Sequence, residues 1–454
     1  MIKMSLQEIC ELCKGQFIGL DTPIEQVSTD TREIKSGSLF IALRGDRFDA
    51  HAFIEQAIEQ GASAVVVDHV LELDIPQVVV DDTRVALGLI AKGVKALSKA
   101  VTIAITGSCG KTTVKELLGS ICAQAGQTLM TQGNLNNDIG VPLTLLNLTL
   151  EHEYAVVELG ANHIGEISYT VDLVQPDVAL VNNVSAAHLE GFGSLNGVAQ
   201  AKGEIYGGLA PDKVAVINLD CPYITRWHGR LEKVNTLSFA LQHRSADVSA
   251  ADIRFNASGY AEFNLVHKSK AYPITLSLPG QHNIQNALAA ATCAIAAGIA
   301  IESVVVGLNR DVTVQGRLNR IEISPTLVAI DDTYNANSAS MKAALDVLAQ
   351  TGGRKIFVMG DMAELGNYAR KEHQMVGDYA RSIGISELFT LGELSLHAHT
   401  GHTHRHHYHE LDHLMVALHA ELTAEPTTIL VKGSRSAKME RVIEELKILG
   451  VNEC

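Results

Sequence analysis

The chain has 454 residues, 46% of them hydrophobic and 19% charged, with 36 Lys and Arg against 51 Asp and Glu. At roughly 150 residues per domain, this length makes about three domains, each able to bury a core. The composition excludes wholesale disorder, and a net charge of −15 argues against a general nucleic-acid or anionic-membrane surface, though not against a local basic pocket for a phosphorylated small molecule.

The opening MIKMSLQEIC has no apolar core of signal-peptide length, so a cytoplasmic protein without membrane insertion is expected. Seven Cys, odd and scattered, make no disulfide framework. Cys10 and Cys13 form one CxxC that no second pair answers, and they read as buried positions on a short helix. Short β-branched runs then recur at 64–67, 77–80, 101–106, 155–159, 178–182, 213–218, 327–331, 355–359 and 428–431. Apolar segments of 3.6 period lie between most of them. That alternation predicts an α/β fold of parallel sheets covered by helices. Asp81-Asp82-Thr83-Arg84 closes a first unit, and a new strand–helix series starts just before Gln315-Gly316-Arg317. The expected domains are therefore 1–84, 85–313 and 314–454. The Ala-rich stretch 287–301 is stopped by Glu302, short of a membrane span.

The strongest local signal is VTIAITGSCGKTT at 101–113. A β-branched strand runs into Thr106, Gly107, Ser108, Cys109 and Gly110, followed by Lys111, Thr112 and Thr113. A helix comes next, with Val114, Leu117, Leu118, Ile121, Cys122 and Ala125 on one face. Strand, glycine loop and helix are what a phosphate loop needs: inward N–H groups and a helix N-terminus attract anionic oxygens. Lys111 can reach the β- and γ-phosphates, and Thr112 can ligate Mg2+. The match is the short GxxGKTT form, because Ile105 stands where a longer consensus has Gly. Cys109 is a candidate for thiol modification, or a small residue that fits the loop.

Further clusters fall where strands of the same domain should end, which is where open α/β sheets bind ligands. Glu158 closes one strand and is a candidate Mg2+ ligand. His188 sits in a Gly-containing loop, NNVSAAHLEGFG. Lys202 lies on a mostly apolar helical segment, where an unpaired ammonium is costly. Such a set fits phosphoryl transfer in general: a kinase, a nucleotide hydrolase or an ATP-dependent ligase. Eight of the 19 His fall within 397–413. This tract reads as a solvated loop and helix edge that could bind a metal resin. Its removal is expected to leave turnover intact.

TGSCGKTT at 106–113, ELGANHIGEI at 158–167, NNVSAAHLEGFGS at 182–194, AKGEI at 201–205, GQHNIQNALAA at 280–290, GRL at 316–318 and DDTYNANSAS at 331–340 resemble the Mur ligase family, in family order. STDTR at 28–32 and the segment 37–67 are similar to the uridine-nucleotide domain of two members. NLNNDIGVPLTLL at 134–146 and GDMAELG at 360–366 are most like the member that adds a dipeptide, and no DNPR motif is present. Ser338 stands where the family pattern has Pro.

The resemblance implies an N-terminal α/β uridine-nucleotide domain, a central P-loop ATPase-like parallel sheet and a C-terminal Rossmann-like domain. It implies that ATP phosphorylates the carboxylate of UDP-N-acetylmuramoyl-tripeptide, whose third residue is diaminopimelate or lysine. The amine of D-alanyl-D-alanine then attacks the acyl phosphate, giving the pentapeptide nucleotide for peptidoglycan synthesis. Lys111 would neutralise the moving phosphoryl group, Thr112 and Glu158 would hold a first Mg2+, and His188 a second. Lys202 matches a lysine that forms a carbamate with CO2 and so offers an anionic oxygen to Mg2+. Asn283, Asn286, Arg317 and Asp332 match ATP contacts. Ser28, Thr31 and Arg32 are candidates for the uridine diphosphate, Asn134, Asn136 and Asn137 for the muramoyl peptide, and Asn335 and Asn337 for the dipeptide. A hinge near 313, an open form without ligands and a monomer are expected.

Overall fold

Local sequence starts each element, and burial decides where it sits. The computed structural model describes residues 1–45, 48–256, 258–385, 387–399 and 406–452. Helix α1 (Leu6–Cys13) opens with a capping box, in which the Ser5 hydroxyl accepts from Glu8 and the Glu8 carboxylate accepts from Ser5. Cys10 is buried in it, and burial pushes the Cys13 thiol up to about 12, so neither is a ready thiolate.

Strands β1 (Gln16–Ile18), β2 (Val27–Ser28), β3 (Ser38–Ile41), β4 (Ala62–Val67) and β5 (Gln77–Val79) form the first sheet, in the order β1-β5-β4-β3-β2. Only β1 runs antiparallel to its neighbour. Helix α2 (Thr83–Leu97) follows, capped by the Asp82 carboxylate, which accepts from the N–H groups of Arg84 and Val85. Ile90, Ala91 and Val94 of α2 share one continuous core with Ile9 of α1 and with Leu145 and Leu173 of the next unit.

The central sheet holds β6 (Val101–Thr106), β7 (Thr128–Met130), β8 (Tyr154–Glu158), β9 (Val178–Val181), β10 (Val214–Asn218), β11 (Asn235–Ala240), β12 (Val248–Phe255), β13 (Tyr260–His267) and β14 (Lys270–Pro279). Their spatial order is β7-β8-β6-β9-β10-β11-β12-β13-β14. Pairing is parallel as far as β12, and β13 and β14 add antiparallel hairpins. Those hairpins correct the expectation of purely parallel sheets. Their half-exposed alternation, as in YAEFNLVH, is the period-2 pattern of a sheet with one wet face.

Helices α3 (Lys111–Cys122), α4 (Glu166–Val174), α5 (Leu195–Gly203) and α6 (Gln281–Ala296) cover this sheet. Val114, Leu117, Leu118, Ile121 and Cys122 bury one face of α3 as expected, but Ala125 lies exposed beyond the helix end. Among the described residues, no helix is long and apolar enough to cross a membrane.

The third sheet contains β15 (Asn319–Ser324), β16 (Leu327–Asp332), β17 (Arg354–Gly360), β18 (Glu387–Leu391), β19 (His406–Tyr408) and β20 (Thr427–Lys432), in the order β15-β16-β20-β17-β18-β19. Helix α7 (Ser338–Gln350) connects β16 to β17. The His tract is corrected here. His406 and His407 lie in edge strand β19, His406 stacks on Phe389, and His399 is 2% exposed. Deleting 397–413 would remove a strand rather than a solvated loop. His402 and His404 lie outside the described residues.

Candidate active site

The carboxyl ends of the central and third sheets face one cavity of about 1050 Å3. On the central side, β6 has β8 and β9 as neighbours, so the chain reverses its direction of winding beside it and leaves a crevice at the strand ends. The phosphate loop fills that crevice. Gly110 caps α3 at φ +76, and a Cβ there would stand 2.4 Å from Asn286 Oδ1 and 2.9 Å from Asn182 Nδ2. Both the left-handed backbone and the close approach demand glycine.

Two asparagines after β9 clamp the loop. Asn182 Nδ2 donates to the Cys109 carbonyl at 3.0 Å and to Asn286 Oδ1 at 3.0 Å. Asn183 accepts from the Cys109 N–H at 2.8 Å and donates back to its carbonyl at 2.9 Å. Ser108 bonds to the Ser185 carbonyl at 3.2 Å. Lys111 Nζ donates to the Gly107 carbonyl at 2.8 Å. Desolvation pushes its pKa down, and the Glu158 carboxylate opposes this. Ser108, Cys109, Gly110, Lys111, Thr112 and Thr113 all line the cavity. Thr106 does not, because its buried hydroxyl donates to the Leu159 carbonyl at 2.7 Å.

Register places Glu158 opposite Ile105, at the foot of the loop. Thr112 Oγ1 donates to Glu158 Oε2 at 3.0 Å, and Asn136 Nδ2 donates to Oε1 at 2.8 Å. These convergent oxygens beside a phosphate loop are hard donors of the kind Mg2+ takes. Asn134 and Asn137 also line the cavity, and Asn137 turns its Oδ1 to the Gly140 N–H at 2.8 Å.

His188 lines the cavity at φ +53, and its Nδ1 lies directly against the Glu364 carboxylate of the third domain. Lys202 is 1% exposed and stands behind the cavity wall, its Nζ 5.5 Å from the Phe192 ring. Among the described residues, its Nζ has neither a hydrogen bond nor a carboxylate at ion-pair distance. Burial, reinforced by Lys111, lowers its pKa to about 7, against the pull of Glu158, Glu166 and Glu204.

Asn283 donates to the Pro279 carbonyl at 2.7 Å and accepts from Asn286 at 2.9 Å, and both residues are buried in the wall. From the third domain, the Arg317 guanidinium sits 4.5 Å from the Tyr334 ring centroid. Asp332 is tied to Lys432 at 2.6 Å. Lys432 also donates to the Asn335 carbonyl at 3.0 Å, and burial lowers its pKa while Asp332 raises it. Asn337 caps α7 through Ser340, and its Nδ2 donates to Cys109 Sγ at 3.1 Å across the seam. Ser338 is buried in the first turn of α7, a position at which Pro is also at home.

Ser28, Thr31 and Arg32 are not brought to this cavity. Ser28 donates to the Asp30 carbonyl at 2.8 Å, and exposed Arg32 pairs with Asp30. In the same domain, among the described residues, one group has metal-ligand spacing: His51, Asp68 and His69. Arg44 already neutralises Asp68 at 2.8 Å.

Lys432, Glu364, Asn182 and Asn183 were missed from the sequence. Lys432 immediately follows the expected strand 428–431, so the strand-end rule that found Glu158 would have found it. Glu364 carried no such signal.

The family model described as "Mur ligase middle domain" matches residues 105–294. "Mur ligase, glutamate ligase domain" matches 316–435, and "Mur ligase family, catalytic domain" matches 23–95. The UDP-N-acetylmuramoyl-tripeptide–D-alanyl-D-alanine ligase of Escherichia coli K12 is 44% identical over 448 residues, covering 98% of this chain and 99% of that protein. A crystal structure of MurF from Acinetobacter baumannii is 37% identical, with a TM-score of 0.93 over 98% of this chain and 99% of that one. MurF ligase from Thermotoga maritima, solved with ADP, is 25% identical, with a TM-score of 0.85 over 94% and 98%.

Proposed function

The chain belongs to the Mur ligase family, and on that premise we propose that it joins D-alanyl-D-alanine to UDP-N-acetylmuramoyl-tripeptide at the expense of ATP. One observation carries the reading. The phosphate loop with Lys111, and Arg317 with the Asp332–Lys432 pair, line a single cavity from two domains. Such a cavity can grip ATP from both ends and leave its γ-phosphate between them.

A free carboxylate is a poor electrophile. ATP supplies its γ-phosphoryl group to the tripeptide carboxylate, giving an acyl phosphate and ADP. The amine of D-alanyl-D-alanine attacks the acyl carbon, loses a proton, and the tetrahedral adduct expels phosphate to leave an amide. Lys111 and the loop N–H groups neutralise charge that grows on the moving phosphoryl oxygens. The Thr112 hydroxyl and Glu158 carboxylate would hold Mg2+, which supplies charge neutralisation on the phosphates. With Nδ1 against Glu364, His188 would offer Nε2 to a second Mg2+.

We also propose that Lys202 is carbamylated. A buried amine with neither a hydrogen bond nor an ion pair among the described residues, and with a pKa near 7, has a large neutral fraction, which can bond the carbon of CO2 and release a proton. Asn283, Asn286, Arg317 and Asp332 are our ATP contacts. Asn134, Asn136, Asn137, Asn335 and Asn337 are our peptide and dipeptide contacts. Ser28, Thr31 and Arg32 remain our uridine-nucleotide contacts, at the distal end of an extended substrate. Domain boundaries at 84 and 313, action as a monomer and a cytoplasmic setting complete the proposal.

The test is phosphate release from ATP and Mg2+ with the tripeptide nucleotide, with and without D-alanyl-D-alanine, with mass spectrometry of the product. Release that needs both substrates, with a product heavier by the dipeptide less one water, supports the reading. Release indifferent to the dipeptide overturns it.

A further inference from the structure

We propose that Glu364 is a positioning residue for this reaction: delivered from the third domain, it orients His188 and latches that domain onto the central one. The inference rests on the ligase reading and deepens it.

The loop that carries Glu364 leaves β17 and is pinned at its base. The Asp361 carboxylate accepts from the N–H groups of Glu393, Leu394 and Ser395 at 2.9, 3.0 and 2.7 Å, and its carbonyl accepts from Ser434 at 2.9 Å. The Met362 N–H donates to His373 Nε2 at 2.9 Å, and Met362 and Leu365 are buried. Between these anchors Glu364 is held at φ +60, a conformation that L side chains rarely adopt. Such strain persists only where the surroundings over-determine it, and it gathers at functional sites.

From that position Glu364 makes two contacts across the seam. Its carbonyl accepts from the Glu190 N–H at 3.2 Å, and its carboxylate takes His188 Nδ1. His188 is itself held at φ +53, so two strained residues from different domains face each other. A carboxylate on Nδ1 fixes the tautomer and ring orientation, and leaves Nε2 free to act as a ligand. Glu364 thereby links closure of the domains to readiness of the imidazole. Without the third domain in place, nothing else among the described residues contacts Nδ1.

Two variants test this. Glu364→Gly accepts the positive φ and removes only the side chain, so its folding is safe. Glu364→Gln keeps an acceptor oxygen without the charge. We expect Glu364→Gly to lose about 10- to 100-fold in kcat with the KM for ATP within about twofold, and Glu364→Gln to recover part of the loss. In a His188→Ala background Glu364→Gly should cost less than about twofold, because the two residues act as one unit. Hydrogen exchange with a non-hydrolysable ATP analogue bound, so that the domains are closed, gives a second readout: amides of 186–193 should exchange at least about tenfold faster in Glu364→Gly. A wild-type kcat in Glu364→Gly, fully additive losses in the double variant, or unchanged exchange at 186–193 would overturn the proposal. Wild-type enzyme that ignores D-alanyl-D-alanine would sink the ligase reading instead, and the exchange result would stand apart from it.

Discussion

Lys111 sits in desolvated surroundings that disfavour its charge, only partly offset by the Gly107 carbonyl and Glu158, yet it faces the place where phosphoryl charge must be neutralised. That is a trade of stability for function. Lys111→Met keeps most of the side chain and removes the ammonium. Its melting temperature should stay level or rise while kcat falls at least about 100-fold, which a thermal melt and a phosphate-release assay can compare. Gly110→Ala strains a left-handed position by about 1–3 kcal/mol and drives a methyl group at Asn286. A lower melting temperature with a raised KM for ATP is expected. His282, in the cavity wall, has its pKa lowered by burial to about 4, from an ordinary 6.5. The native ring stays neutral where the unfolded chain takes up a proton. Stability is therefore intact above about pH 6.5 and is lost as pH falls towards 4. In His282→Gln, unfolding titrations across that window should show a loss smaller by about 1 kcal/mol, the partly open ring being discounted for solvent.

At the scale of elements, α7 shows how one side chain serves fold and site together. Asn337 caps the helix and its amide reaches Cys109 in the phosphate loop. Asn337→Ala should lower stability by about 1 kcal/mol through the lost cap. Asn337→Asp keeps the capping oxygen, so denaturant unfolding should find it close to wild type. If its turnover nonetheless falls, the amide itself is needed in the cavity. Equal turnover would assign Asn337 to the cap alone. The strands followed a simpler rule. Those that were legible are buried β-branched runs, whereas β3 (SLFI) and β18 (ELFTL) are also buried but carry too few β-branched residues to stand out. The hairpin strands β12, β13 and β14 carry polar residues on one face, so a search for continuous apolar runs passes over them.

At the scale of the molecule, two sheets with no strand in common aim their carboxyl ends at one cavity, and the seam between them is held by few polar contacts. Among the described residues, His188 with Glu364, the Glu190 N–H with the Glu364 carbonyl, and Cys109 with Asn337 tie the phosphate loop side to the third domain. Interfaces so thin open readily. X-ray scattering should therefore give a larger radius of gyration for the protein alone than with an ATP analogue and both substrates. An identical radius in the two states would argue that the domains are locked and that no hinge works near 313.

Motifs that are contiguous along the chain were determined by the sequence itself: the strand–loop–helix of 101–122, the caps at Ser5 and Asp82, and the alternation of β-branched and 3.6-period segments that fixes an α/β class. Their physics is local, because φ/ψ preference, helix capping and amphipathic period act over a few residues. Glu158 and Lys432 stood at strand ends, and one rule reaches both once the strands are known. Tertiary structure alone decided the rest. It chose which of many Asn caps a helix and which clamps the loop, left Lys202 with no hydrogen bond or ion pair among the described residues, and drew His406 and His407 from an apparent solvated tract into a strand. It also set Glu364 against His188, 176 positions apart in number. Such pairings depend on how two sheets pack, and packing is settled by surfaces assembled from the whole chain, which no short window of sequence contains.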